Sequence, residues 1–95
     1  MRKYELMTIH RPEFSEDEVK AKIAEIEKFL GDHGAKVEST DLWGKRRFTY
    51  EIKHVREGHY SVVTFDAETA TVDEIDRVLS LADAVLRHKI VRPGA

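Results

Sequence analysis

Five histidines, His10, His33, His54, His59 and His88, are the side chains best able to bind a metal or move a proton. Their spacing gives no metal-ligand pattern, and a zinc centre needs three or four ligands that converge. Cysteine is absent, which removes thiolate metal sites, disulfides and thiol nucleophiles. No phosphate-cradling glycine loop, nucleophile elbow or dinucleotide fingerprint occurs. The acidic groups Glu16-Asp17-Glu18 and Asp73-Glu74 stand where helices begin, where carboxylates favour the positive end of the helix dipole. An acylphosphatase-like hydrolase would need an asparagine, and the chain has none. The expectation is therefore no catalytic residue, no metal, no cofactor and no small-molecule substrate.

The basic runs remain. Arg2-Lys3, Lys45-Arg46-Arg47 and Arg87-His88-Lys89 with Arg92 all fall in segments that read as strands, whereas the acids gather on two helical stretches. The overall net charge of −2 hides this separation. Counterion release on binding a polyanion depends on the local surface, so a basic sheet on a near-neutral protein still points to nucleic acid. Lys45-Arg46-Arg47 lies between Trp43 and the pair Phe48 and Tyr50. Cations interleaved with aromatics suit RNA, because phosphates need positive charge and bases need flat apolar faces. Protection of a sheet edge by charge explains the same run equally well. RNA-recognition motifs carry a cation, a glycine and alternating aromatics on their third strand. The corresponding Glu57-Gly58-His59-Tyr60 has an acid in the cationic place and Tyr60 as its one open-face aromatic, so a single-strand stacker of that class is not expected.

The elements that hold these residues follow from periodicity. Ninety-five residues make one domain, spanning 1–95. With 41% hydrophobic and 36% charged residues the composition is that of an ordinary globular protein. No window approaches the ~20 apolar residues of a membrane span. The opening Met1-Arg2-Lys3-Tyr4-Glu5 runs into a strand pattern without an apolar signal core. A cytoplasmic location with no membrane partner is expected.

Tyr4 to Ile9 reads as a strand. Ser15 and Glu18 form a capping box with Phe14 and Val19 as its hydrophobic staple. Val19, Ile23, Ile26 and Leu30 then recur at helical spacing, and Gly31 and Gly34 provide the stop. Val37–Leu42 and Phe48–Ile52 read as one long strand bent near Gly44. Arg56-Glu57-Gly58 reads as the turn into a returning strand, His59 to Phe65. Thr71 and Glu74 form a second capping box, with Ala70 and Ile75 as staple and Val72, Ile75, Val78, Leu79 and Ala82 as the apolar stripe. Val85 to Arg92 is the last strand, ended by Pro93-Gly94.

The order β-α-β-β-α-β predicts an α+β, ferredoxin-like fold, a four-stranded antiparallel sheet with both helices on one face. Alternation places Val85, Arg87, Lys89 and Val91 on one side of the last strand and Leu86, His88 and Ile90 on the other. With Leu86 and Ile90 under the helices, Arg87 and Lys89 project from the open face. Arg87 and Lys89 are expected to join Arg2 and Lys3 in one contiguous basic strip. Solvated charge with no partner is the competing explanation.

The chain resembles bacterial small-subunit ribosomal protein number six almost end to end. The resemblance is carried by Met1-Arg2-Lys3-Tyr4-Glu5, Gly34-Ala35-Lys36-Val37-Glu38, Trp43-Gly44-Lys45-Arg46-Arg47-Phe48-Thr49-Tyr50-Glu51-Ile52, Gly58-His59-Tyr60 and Val85-Leu86-Arg87-His88-Lys89. Phe48-Thr49-Tyr50-Glu51-Ile52 departs from the common leucine-alanine-tyrosine-proline-isoleucine form. The resemblance implies a structural, non-catalytic part of the small ribosomal subunit. It implies a heterodimer with ribosomal protein number eighteen that binds the central domain of small-subunit rRNA. Arg2, Lys3, Lys45, Arg46, Arg47, Arg87, Lys89 and Arg92 are then the candidate rRNA-binding residues. Trp43, Phe48 and Tyr60 are the candidate partner-protein contacts, and Tyr50 and Ile52 hold the hairpin together. A non-catalytic protein-binding or ligand-sensing homodimer on the same fold is the alternative.

Overall fold

The structure is a computed structural model that describes residues 1–93. Of the expected Pro93-Gly94 ending, Gly94 lies outside the described residues. The elements are β1 (Arg2–His10), α1 (Glu16–Asp32), β2 (Lys36–Ile52), β3 (Val55–Ala67), α2 (Thr69–Ser80) and β4 (Val85–Val91). The strands form one antiparallel sheet in the order β2-β3-β1-β4. This is the ferredoxin-like arrangement expected, with β2 and β4 as its edges.

Because successive strand residues alternate between faces, the register decides what each face holds. Tyr4 and Leu6 stand opposite Phe65 and Val63. All four join Val19, Ile23, Ile26 and Leu30 of α1 and Ile75 and Leu79 of α2 in one buried cluster. Both helices therefore cover this face. The other face presents three rows: Arg87, Ile9 and Tyr60; Lys89, Met7 and Val62; Val91, Glu5 and Thr64.

Local sequence explains the first helix directly. The Ser15 hydroxyl accepts from the Glu18 N–H at 3.2 Å, and the Glu18 carboxylate accepts from the Ser15 N–H at 2.8 Å. These bonds hold the Glu18 carboxyl below its ordinary range. Phe14 packs against the core beside them. The helix runs on through Gly31, and the left-handed residue beyond it is Gly34, at φ 83°.

Two expectations fail. The second capping box does not form: α2 begins at Thr69, and its N-cap Glu68 makes no side-chain cap bond. Thr71 is buried, and its hydroxyl donates to the His33 carbonyl just past α1, so a tertiary contact takes the oxygen that a cap would have used. Nor is Arg56-Glu57-Gly58 the hairpin turn. Lys53 and His54 make the turn, at φ 49° and 67°, a conformation that two-residue hairpins favour and that usually selects asparagine and glycine. Gly58 lies within β3, opposite Arg46.

Lack of space explains that glycine. A β-carbon at Gly58 would lie 2.6 Å from Ile9 Cγ2, 2.8 Å from the His10 carbonyl oxygen and 3.1 Å from Phe48 Cζ. β2 and β3 thus close down on β1 at this point. Further back, the ladder between β2 and β3 slips between Leu42 and Gly44, where Gly44 sits at φ 86°. The bend expected near Gly44 is present. Past Arg47 the register to β3 shifts again. Residues 48–52 consequently arch over the open face, and Phe48, Thr49, Tyr50 and Ile52 line a notch together with Arg87, His88 and Lys89, which belong to a strand three places away.

Gly58→Ala should destabilise the fold by about 1–3 kcal/mol through overpacking. Gly44→Ala, with nothing within 4 Å of its added carbon, should lose about 1–2 kcal/mol through left-handed backbone strain alone. Urea denaturation of the two variants measures both losses. A Gly58→Ala protein as stable as the wild type would show that the arm does not approach β1 so closely.

Candidate nucleic-acid interface

The register slip at Leu42/Gly44 brings Trp43 onto the open face, where its ring stacks on Tyr60 with centroids 6.4 Å apart and planes at 7°. Phe48 meets the same tyrosine edge-on at 6.0 Å. Both distances fall in the range of attractive aromatic pairs. The Arg46 guanidinium lies 5.9 Å from the Trp43 centroid, within reach of a cation–π attraction. Three aromatics from two strands therefore form one platform, and Trp43 keeps 49% of its surface exposed. Tyr50 does not hold the hairpin together as expected, for it is 70% exposed. Ile52 is half-buried at the end of the arm, where it pairs with Val55. Alternation along β1 sets Met7 and Ile9 on the same face as Lys3, where they form the apolar floor beside this platform.

The notch between the arm and the sheet has a volume of about 320 Å³. Met7 and Ile9 lie at its base, Phe48, Tyr50 and Tyr60 are in its walls, and Arg47, Arg87 and Lys89 are at its rim. No carboxylate lines it. Among the described residues, Arg46, Arg47, Arg87 and Lys89 have no carboxylate within ion-pair distance. Lys45 pairs with His59 and follows the helix-side alternation, Arg46 pairs with Gly58 on the open side, and Arg47, opposite Glu57, alternates back although it lines the notch.

The single strip expected from Arg2, Lys3, Arg87 and Lys89 does not form. Arg2 stands opposite Ala67, a core residue, so alternation turns it toward the helix side. Lys3 does face the open side, four residues along β1 from Met7, which is about 13 Å. There its ammonium lies 3.0 Å from the Glu38 carboxylate. That hydrogen-bonded contact raises the lysine and lowers the glutamate, with Asp66 acting on both. Arg92 follows β4 at the same end as Lys3. The cations thus divide into a dense group around the arm and a sparser group at the opposite end of the sheet. His88 points under α2, half-buried, with Nε2 2.7 Å from the Asp76 carboxylate.

Comparison with known proteins fits this geometry. The family described as Ribosomal protein S6 matches residues 3–92. The chain belongs to the ribosomal protein S6 family. The small ribosomal subunit protein bS6 of Symbiobacterium thermophilum is 48% identical over 94 residues, covering 99% of each chain. That of Streptomyces coelicolor is 46% identical over 93 residues, covering 98% of this chain and 97% of the other. The crystal structure of 30S ribosomal protein S6 from Thermotoga maritima superposes with a TM-score of 0.90 at 27% identity, covering 96% of this chain and 86% of that one. The ribosomal protein S6 family is structural and non-enzymatic.

This membership bears on the remaining cluster of chemically able side chains. His10 and His59 face each other across β1 and β3, on the helix side, and both are buried. His59 Nε2 bonds the Phe14 carbonyl at 2.8 Å. His10 Nδ1 has no partner among the described residues. Burial, reinforced by the charges of Lys22 and His59, pushes His10 down from 6.5 to about 4. In a ribosomal protein S6 fold such a pair is a buried polar seam rather than catalytic machinery.

The seam makes stability depend on pH. Below pH 6.5 the unfolded chain binds a proton that folded His10 refuses, so its contribution is complete above 6.5 and is lost as pH falls to about 4. The full loss is about 3 kcal/mol. Glu18, Glu38 and Glu74 are held below their ordinary 4.5, so their contributions are present above 4.5 and fade only beneath it. Urea denaturation between pH 6.5 and 4.5 should therefore show a decline that His10→Gln removes. An equal decline in the variant would assign the effect to other groups.

Proposed function

We propose that this chain is a structural component of the bacterial small ribosomal subunit, working in the cytoplasm. In this role it docks on the central domain of small-subunit rRNA as a heterodimer with ribosomal protein number eighteen. Family membership supports the ribosomal setting. The observation that carries the docking reading is the group of cations on the open side, Arg46, Arg87 and Lys89, with Arg47 at the edge of the notch, none with a carboxylate at ion-pair distance among the described residues and all set beside exposed aromatic surface.

In this reading, Arg46, Arg47, Arg87 and Lys89, with Lys45 on the flank, meet rRNA phosphates. Arg2, Lys3 and Arg92 meet phosphates at the far end of the sheet. The partner protein covers Trp43, with Phe48 and Tyr60 behind it, removing exposed apolar surface from water. A near-neutral chain has little non-specific attraction for a polyanion. Tight binding therefore needs the second protein, which adds cations and buried area.

Titrating a central-domain rRNA fragment should give weak binding by this chain alone and strong binding with its partner. Strong, sequence-selective binding by the isolated chain would contradict the proposal, as would a stable homodimer that ignores rRNA. Arg87→Ala should reduce the slope of log affinity against log salt by about one. Lys3→Ala should change that slope less, since Lys3 already faces Glu38. An unchanged slope for Arg87→Ala removes Arg87 from the interface.

A further inference from the structure

The notch under the β2–β3 arm has features that phosphate neutralisation alone does not require. It combines three cations, Arg47, Arg87 and Lys89, with three aromatic rings and no acid, in a chain whose Asp and Glu outnumber its Lys and Arg. Tyr50 is 70% exposed and stacks on no other ring among the described residues, so its face is free to receive a planar group. The volume of about 320 Å³ lies within the range of small-molecule sites. A flat phosphate-binding surface would need neither concavity nor an unstacked aromatic. A stacked duplex could touch the rim cations, yet it could not place a base between the arm and the sheet.

We propose that this notch takes one unstacked nucleotide from a single-stranded segment of RNA. The base lies against Tyr50 over the apolar surface of Phe48 and Tyr60, and the flanking phosphates meet Arg87 and Lys89. Aromatic stacking of this kind tolerates different bases, because every base has a π-face. The notch therefore selects for an unpaired nucleotide more than for its sequence. The inference rests on the rRNA-docking reading and narrows it: part of what is docked is a looped-out or terminal nucleotide, not a continuous helix.

The test is a titration of the isolated, isotopically labelled chain with a single-stranded RNA tetranucleotide and with a short RNA duplex, followed through backbone amide resonances. The single strand should shift amides of residues 47–52 and 87–89, and the duplex should leave those of 48–52 in place. Tyr50→Ala, at an exposed position, should keep the wild-type urea midpoint and weaken single-strand binding about tenfold without altering its salt slope. Tyr50→Phe should bind like the wild type. The inference is overturned if the tetranucleotide causes no shift at millimolar concentration or shifts other residues. It is also overturned if the duplex moves the arm equally, or if Tyr50→Ala binds as well as the wild type. A central-domain fragment with the partner protein separates the two levels. Equal binding of that fragment by wild type and Tyr50→Ala leaves docking intact and removes the nucleotide from the notch. A wild type that binds the tetranucleotide in the notch but not the fragment removes docking and keeps the notch.

Discussion

The arrangement of the open face depends on one close approach, the passage of Gly58 over Ile9 and the His10 carbonyl. A β-carbon there would force β3 away from β1 or push Phe48 out of its place. Since Phe48 is the first residue of the arm beyond the ladder slip, its displacement would lift residues 48–52 from the sheet. The notch would then open, and Ile9, now 4% exposed although it sits on the open face, would meet water. A missing side chain thus holds together an aromatic platform, a concave site and a group of cations. Bulged strands and close-approach glycines often serve this purpose, bending an edge so that it presents side chains out of the plane of the sheet.

Charge follows from the same layout. The helices take the acids: Glu16, Asp17 and Glu18 fill the first turn of α1, whereas α2 has no acid in its first turn and carries Asp73 and Glu74 beyond it, not at the helix start where they were expected. The strands take the bases, and the arm concentrates them. Counterions gather where like charges sit close together, so a net charge of −2 does not weaken the field at a rim formed by Arg47, Arg87 and Lys89. At the other end of the sheet, Lys3 shares its charge with Glu38 and Asp66. Two lysines or arginines in this protein are therefore unequal in what they can offer a phosphate, and the difference lies in their neighbours.

What could be learned from sequence divides along the same physical line. The Ser15–Glu18 capping box and the stripe Val19, Ile23, Ile26 and Leu30 were visible because they depend on neighbours within a few turns of one helix. The exposure of Arg87 and Lys89 followed from alternation along β4, but Val85, set on their side by the same rule, lies in the core because the ladder to β1 slips between Ile9 and His10. Alternation also held the answer for Arg2, since adjacent residues 2 and 3 cannot both face the open side. Gly58 was opaque because a glycine in a polar triplet usually means a turn, while the atoms that forbid a side chain here belong to β1, about 50 residues away. The true turn was hidden by its residues, Lys53 and His54, which give no turn signal. The Trp43–Tyr60 stack needed a register that contains a slip, and no local pattern reports a slip. Thr71 misled for a related reason: its spacing to Glu74 is that of a cap, but the hydroxyl is engaged by the end of α1.

These features bear on why a small protein of this kind would need company. The platform leaves Trp43 half exposed, with Leu42 and Val91 also on the outside at 43% and 40%. Apolar surface of that extent is tolerable singly but is better covered. The arm carries one ion pair of its own, Arg56 with Glu51 at 3.2 Å, in exposed surroundings where such pairs contribute little. An arm held mainly by Phe48, Ile52 and the close approach at Gly58 can be positioned further by whatever binds against it. If a partner protein buries Trp43 from one side and a nucleotide fills the notch from the other, each stabilises the arm position that the other requires. The two binding events would then favour each other without any direct contact, because the first to arrive has already met the ordering cost of the arm.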